Sequence, residues 1–422
     1  MPKSKLTLIP YILAFLVISC NDSKHEEIAA VPKDLKTINF FLETSASMEG
    51  YLRGGAEFSK IIPNLLVEIE NKVSSKSKTI NINYISDSIL KYPKTTRDFI
   101  HDISTTNVTK SKSSEMHKIF EMVTNKTDSN DISIFVSDCI LSYPDSNIKK
   151  DPEINKRNAD GELKAFIKDA FLKIKRRNVC ASLYGFNSKF FSTYYTYQNG
   201  KIPLNGEIKR PFYIWVIGDK ELLQHFNKQL LAIESFTPEL IVDFGMFEKP
   251  IDTYNILFKT DRYGKWATNE TEITEIEITK TNPIKFTISL DLSLLPKYAQ
   301  DTGYLKKNLK ASCKDAVGKI VDVKRAKDLD ISKAASHEKE FLQNASHAIS
   351  IEISDMYKSQ AQISLQLPLK YNTEYIDWSI MDDKVKAVLD GKTFAFQYLV
   401  DGVKEAYQNN DNFIKIAITL KK

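Results

Sequence analysis

Cysteine is scarce in this chain, with four residues in 422. Cys20 stands near the start, and Cys139, Cys180 and Cys313 are scattered beyond it with no CxxC spacing. That distribution argues against a disulfide scaffold and against a structural zinc site. The six histidines (His25, His101, His117, His225, His337 and His347) form no HxH or HExxH pattern and read as scattered surface residues. A phosphate-cradling glycine loop and a GxSxG elbow are also missing. Charge of one sign is not concentrated anywhere. The 59 basic and 54 acidic residues leave +5, too diffuse for a nucleic-acid interface. Past residue 20 no apolar run is long enough to span a bilayer. Internal repeats and low-complexity tracts are lacking too. What is present, 42% apolar and 27% charged residues, is ordinary globular material for two domains.

The N-terminus carries its own signal. Lys3 and Lys5 precede a 13-residue apolar run, Leu6 to Ile18, the length of a signal-peptide core. The run ends in Val17-Ile18-Ser19-Cys20, which resembles the cleavage box of bacterial lipoproteins. The resemblance implies a signal peptide over 1–20, a mature chain that begins at lipidated Cys20, and a polar tether over 21–35. Residue 21 is Asn rather than Asp, so the inner-membrane retention signal is missing. The expected location is the cell envelope, with the lipid in the outer membrane.

From 36 to 232 the hydrophobic pattern alternates between strand and helix. Ile38–Leu42, Thr79–Ile85, Ile132–Val136, Val179–Phe186 and Phe212–Ile217 read as strands, with Ile89–Tyr92 as a short return strand. Helices are expected over Ile61–Val73, around Met116–Val123, over Gly161–Arg177 and over Lys220–Leu231. Pro63 is expected in the first helical turn, where its missing N–H costs little. This alternation predicts a doubly wound, mostly parallel six-stranded α/β sheet. Residues 233–252 read as a linker. From 253 to 422 short alternating segments, among them Leu305–Cys313 and Phe413–Leu420, predict an all-β sandwich of immunoglobulin-like type. Thr393–Tyr407 is a short helix within it.

One stretch carries chemistry. Phe40 to Met48 reads FFLETSASM, an apolar strand that runs into Glu43, Ser45 and Ser47. Carboxylate and hydroxyl oxygens converging where a strand gives way to a helix suit a hard divalent cation. The stretch resembles the Asp-x-Ser-x-Ser motif of von Willebrand factor A-type (vWA) domains, and the order of elements over 36–232 resembles that family as well. The resemblance implies a metal-ion-dependent adhesion site on three loops, holding Mg²⁺ with one position open to an acidic group of a protein partner. Glu43, Ser45 and Ser47 would come from the first loop. Ser114 would come from the second, with Ser113 and Thr109 as alternatives, and Asp138 from the third. Three departures are visible: the family's first Asp is Glu43 here, the second loop has no clear counterpart of the family's Thr, and Cys139 follows Asp138 where the family has Gly.

Other candidates are fewer. The insert FFSTYYTY places Tyr194, Tyr195 and Tyr197 where they cannot all point inward on a strand; they read as partner-binding anchors at the top face, or equally as a strand extension covered by the second domain. Asp382-Asp383 reads as a solvated loop, and Trp266 and Trp378 as packing residues. The expected function is therefore capture of a protein partner by a membrane-anchored module, not catalysis. A metal-dependent envelope hydrolase and a structural subunit with a degenerate metal site are the alternatives. The anchor is directly testable: Cys20→Ala should abolish incorporation of labelled palmitate and move the protein from the membrane to the soluble fraction.

Overall fold

The computed structural model describes residues 34–422, apart from 53–56, 74–78, 107, 110–112, 248, 270, 280 and 409–410. Cys20, the signal peptide and nearly all of the tether lie outside the described residues.

The first layer set is a seven-stranded sheet. Its strands are β1 (Thr37–Glu43), β2 (Thr79–Ile85), β3 (Ile89–Lys91), β4 (Asp131–Ser137), β5 (Val179–Tyr195), β6 (Lys201–Asp219) and β7 (Leu240–Phe244). They lie in the order β3-β2-β1-β4-β6-β5-β7. Helices cover both faces: α1 (Glu49–Leu52), α2 (Phe58–Glu68), α3 (Thr96–Thr105), α4 (Met116–Asn125), α5 (Asp145–Lys150), α6 (Ile154–Asn158), α7 (Lys164–Lys175) and α8 (Lys220–Leu231). Alternation along β1 sends Phe40 and Leu42 into the core shared with α2, α3 and α8. Phe41 points the other way, into the core shared with α4 and α7.

The sheet differs from the expected mostly parallel, six-stranded one. Parallel pairing holds only for β1 with β2 and β1 with β4. β4, β6, β5 and β7 then pair antiparallel in turn, and β3 is an antiparallel edge on β2. The cause lies in the connection between β5 and β6. A parallel crossover needs a helix or a long return. Residues 187–211 instead continue both strands, and Thr196 to Gly200 close them as a turn. Pro63 is likewise further inside α2 than expected, in its second turn. The carbonyl that loses its partner belongs to Ser59, which is exposed.

The second layer set is a sandwich. Its strands are β8 (Asn255–Leu257), β9 (Lys265–Thr268), β10 (Glu272–Glu277), β11 (Ile284–Leu290), β12 (Lys310–Lys314), β13 (Ala316–Arg325), β14 (His347–Met356) and β15 (Gln360–Pro368). Two later pieces, β16 (Ser379–Ile380) and β17 (Thr393–Phe394), pair only with each other, and β18 (Asn412–Lys421) closes the chain. The two sheets run β12-β15-β18-β10-β9 and β13-β14-β11-β8 around one apolar core. Helices α9 (Thr302–Asn308) and α10 (Ser336–Gln343) decorate it. The first half of the expected strand Leu305–Cys313 is the end of α9, held by an Asp301 side-chain cap.

The two layer sets do not divide where the pattern changes. The expected linker, 233–252, contributes β7 to the large sheet. The sandwich also lends out a long excursion between β15 and β18. Its last helix, α11 (Phe396–Tyr407), lies on α7, and Tyr375, Phe394, Leu399 and Val403 join the core beneath β4 and β6. The α/β region is thus completed by residues from the far end of the chain. Two histidines expected at the surface, His117 and His347, are instead buried.

Gly402 marks how closely α11 approaches α7. A Cβ there would lie 2.7 Å from the Lys164 carbonyl oxygen and 3.0 Å from Ile167 Cβ. Replacing Gly by Ala inside a helix is worth about 1 kcal/mol in propensity, while overpacking costs about 1–3 kcal/mol. Gly402→Ala should therefore be net destabilising and lower the urea midpoint of the α/β region. A higher midpoint would show that α11 can back away from α7.

Candidate functional site

The carboxyl ends of β1 and β4 lie side by side, and the resembling motif sits there. Thr44 N–H donates to the Ile85 carbonyl (3.0 Å) and ties the end of β1 to β2. The chain then turns through Ser45 into a short 3₁₀ turn, Ala46–Met48, and α1. The second and third loops are stitched together by the backbone. Ser114 N–H donates to Ser142 O (2.9 Å), and Ser142 N–H donates to Ser114 O (3.0 Å). The three loops that the sequence nominated do meet.

The carboxyl groups face away from the opening. Glu43 is fully buried. Ser114 Oγ donates to Glu43 Oε1 (2.5 Å), and Ser137 Oγ donates to Oε2. Ser137 Oγ also accepts the Cys139 N–H (2.7 Å), so one hydroxyl both holds Glu43 and caps the turn after β4. Asp138 is fully buried as well. Its Oδ1 accepts the Ile140 N–H (3.2 Å), while Oδ2 has no hydrogen-bond partner. Strand alternation places Glu43 and Ser137 on the α4 side of the sheet, and Asp138 on the α1 side. Cys139 takes φ +55°, the left-handed conformation that favours Gly. The backbone thus keeps a glycine-like turn with a buried thiol in it.

Burial raises both acids. Glu43 is pushed up by desolvation, opposed by the hydroxyls of Ser114, Ser137 and Ser45. Asp138 is pushed up to about 7 by desolvation and by the nearby Glu43, opposed by Ser47, the Ile140 N–H and the charge of Arg210.

Above this layer lies a cleft of about 660 Å³. Its floor is hydroxyl-rich: Ser45, Ser47, Ser113, Ser114 and Ser142, with Thr109 beside them. The tip of the β5–β6 hairpin forms one wall through Tyr195, Thr196, Gln198, Asn199 and Lys201. Asp145, Ile148 and Lys149 of α5 form the other. Asn199 Nδ2 donates to Asp145 Oδ1 (2.8 Å), and Asn155 Nδ2 to Tyr197 O (2.6 Å), so the hairpin tip is tied to α5 and α6.

Of the two readings of the tyrosines, the covered strand extension is the one the structure shows for Tyr194 and Tyr197. Only Tyr195 lines the cleft. Tyr194 and Tyr197 are buried, about 1% and 2% exposed, and do not serve as surface anchors. The C-terminal excursion covers them. Tyr197 stacks on Phe394 with ring centroids 5.1 Å apart. Tyr194 Oη donates to Asp383 Oδ2 (2.6 Å), and the Tyr197 N–H donates to Asp383 Oδ1 (3.1 Å). Asp383 is therefore a buried tie and not part of a solvated loop, while Asp382 is exposed. Trp266 lies in the sandwich core, and Trp378 packs near Tyr213. His117 is turned toward Phe166 and Tyr143 rather than into the cleft.

Sequence reasoning missed Ser137, Asp383 and Arg210. Arg210 is fully buried at the head of the apolar half of β6. Its Nη1 donates to the Leu389 and Lys392 carbonyls, and its guanidinium lies 4.5 Å from the Tyr194 ring centre. A charged residue directly before the run PFYIWVIG was the available signal.

As they stand, these residues do not fit Mg²⁺, which demands a near-octahedral oxygen set at about 2.0–2.1 Å. Both Glu43 oxygens are taken by serine hydroxyls, and Glu43 and Asp138 are turned to different faces. Neither lines the cleft. Among the described residues no group of three or more His, Cys, Asp or Glu is placed to hold a metal ion. Known protein families and curated proteins offer no match to the chain.

The raised acids give a pH dependence of definite sign. Asp138 binds its proton more tightly folded than unfolded, so its contribution is present below its ordinary value and is lost as pH rises toward 7. Stability should fall as pH rises from about 4 to about 7, and Asp138→Asn should flatten that fall. Denaturant titrations at several pH values check it.

Proposed function

We propose that the chain is a lipid-anchored protein of the bacterial cell envelope whose α/β region, laid out like a vWA domain, binds a protein partner in the cleft at the carboxyl edge of its sheet. One observation carries the reading. The cleft is bounded by all three loops that the motif nominates and by a hairpin tip held in place from two sides. Ligands of open α/β sheets usually bind at this edge. Further support comes from the short antiparallel edge strand β3 and from the left-handed turn at Cys139, in the place where the family keeps Gly.

The lining suits recognition better than bond cleavage. Hydroxyls, amides and one tyrosine offer donors and acceptors, with Lys149 and Lys201 at the rim. Among the described residues no histidine lines it, and the one carboxylate there, Asp145, already accepts from Asn199. The lipid at Cys20 would hold the cleft near the membrane, and the sandwich, of immunoglobulin-like kind, would carry the C-terminal excursion that braces the cleft wall.

The test is site-specific photo-crosslinking in cells. Benzoylphenylalanine at Asn199 should give a discrete adduct with a second protein, while the same group at Lys173, exposed on α7, should not. Ser142→Trp, which fills the cleft, should reduce the Asn199 adduct at least fivefold. An adduct indifferent to Ser142→Trp, or equal at Lys173, would place binding elsewhere.

A further inference from the structure

The chemistry of the cleft lining narrows what can occupy it. Ten of the eighteen described residues that line it carry a hydroxyl or a carboxamide, five are apolar, and only Asp145, Lys149 and Lys201 are charged. Its volume of about 660 Å³ falls in the range of small-ligand sites, about 300–1,000 Å³. Sites of that size are mostly lined by apolar side chains with a few polar groups, and here the proportion is reversed.

Several ligand classes match this lining poorly. An apolar ligand would strip water from ten polar side chains and give nothing back. A phosphate or sulfate is best held by guanidinium forks, and no arginine is among the described lining residues. The two lysines are exposed, one on each wall. A polyol, by contrast, matches the lining group for group. Each sugar hydroxyl donates and accepts, and so do the serine, threonine and tyrosine hydroxyls and the carboxamides.

The geometry adds direction. Asn199 Nδ2 donates to Asp145 Oδ1 (2.8 Å), which sets a carboxamide beside a carboxylate at the wall. That bond leaves the second carboxylate oxygen, the amide oxygen and one amide hydrogen for neighbouring hydroxyls of a ligand. Among the described residues, the Ser142 and Tyr195 hydroxyls have no hydrogen-bond partner. Tyr195 also brings an aromatic ring, whose negative face suits the polarised C–H bonds of a sugar ring.

We propose that the group this cleft receives is a short carbohydrate chain, held by the Asp145–Asn199 pair, the Ser142 and Tyr195 hydroxyls and the serine floor. This assignment rests on the partner-binding reading for the place of binding. The carbohydrate is either a glycan displayed by the partner protein or a free polysaccharide.

The lipid-free protein is screened against immobilised cellotriose, maltotriose, mannotriose and chitotriose, with poly-glutamate as the acidic comparison, and each binder is titrated calorimetrically. At least one oligosaccharide should bind saturably. Ser142→Trp and Tyr195→Ala should each weaken it about tenfold or more. Lys173→Trp, on α7, should leave it unchanged. If Ser142→Trp does not fold, Tyr195→Phe, which removes only the hydroxyl, takes its place. No oligosaccharide bound, binding indifferent to the cleft variants, or preference for poly-glutamate would each overturn the proposal. The Asn199 adduct in cells separates the two sources. A glycan on the partner predicts an adduct that shifts on glycosidase treatment and is competed away by the bound oligosaccharide. Oligosaccharide binding without any protein adduct supports the carbohydrate and counts against a protein partner. An adduct sensitive to Ser142→Trp with no oligosaccharide bound does the reverse.

Discussion

Glu43 is buried where β1 ends, and a carboxyl group in that place must be hydrogen-bonded, protonated or paired. Everything around it follows from that demand. Ser114 and Ser137 arrive from two other loops to take its two oxygens. Bringing Ser114 in requires the backbone exchange with Ser142, which in turn fixes the start of α4 and the loop before α5. Bringing Ser137 in leaves its oxygen to cap the Cys139 N–H, and the chain enters the left-handed turn there. The floor of the cleft is thus the upper surface of a buried hydrogen-bond cluster, and its hydroxyls are held by acids that the cleft itself does not reach.

The cleft wall depends on a second, distant constraint. A two-stranded hairpin that leaves its sheet is marginal by itself. The β5–β6 hairpin is stabilised because the chain after β15 returns from the sandwich and residues 383–394 lie against it. Asp383 holds Tyr194 and Tyr197, Phe394 stacks on Tyr197, and the Leu389 and Lys392 carbonyls accept from Arg210. The same excursion places α11 on α7. The sandwich is thereby connected to the carboxyl edge of the α/β sheet through contacts in one continuous segment.

Legibility in the sequence follows from which residues see only their neighbours. Lys220–Leu231 was legible to the residue because its apolar positions recur at helical spacing and Asp219 caps it. Glu43, Ser45, Ser47, Ser114 and Asp138 were brought together in the sequence only by the resemblance to the vWA motif, and the structure places their three loops side by side. The hairpin was not legible. FFSTYYTY fits exposed anchors and a covered strand extension equally well, because a strand has two faces and a local pattern cannot say whether a segment nearly 190 residues away covers the second. Arg210 was illegible for the same reason, its carbonyl partners being Leu389 and Lys392. The direction in which Glu43 turns was also hidden, because it depends on Ser137, a residue the motif does not include.

A guanidinium and a bound ion can each tie loops together, with different consequences. An ion in solution exchange makes a site respond to its concentration, and stabilises the folded state only in proportion to how far that concentration exceeds the dissociation constant. A side chain is present at unit occupancy whatever the medium. It also brings directional donors, which a spherical ion lacks, so it fixes the elements that carry it. In this chain those elements are β6 and residues 389–392, the same ones that shape the cleft wall. Positioning the wall is therefore a task of Arg210, whose donors join β6 to residues 389–392 and whose guanidinium lies on Tyr194 of the hairpin.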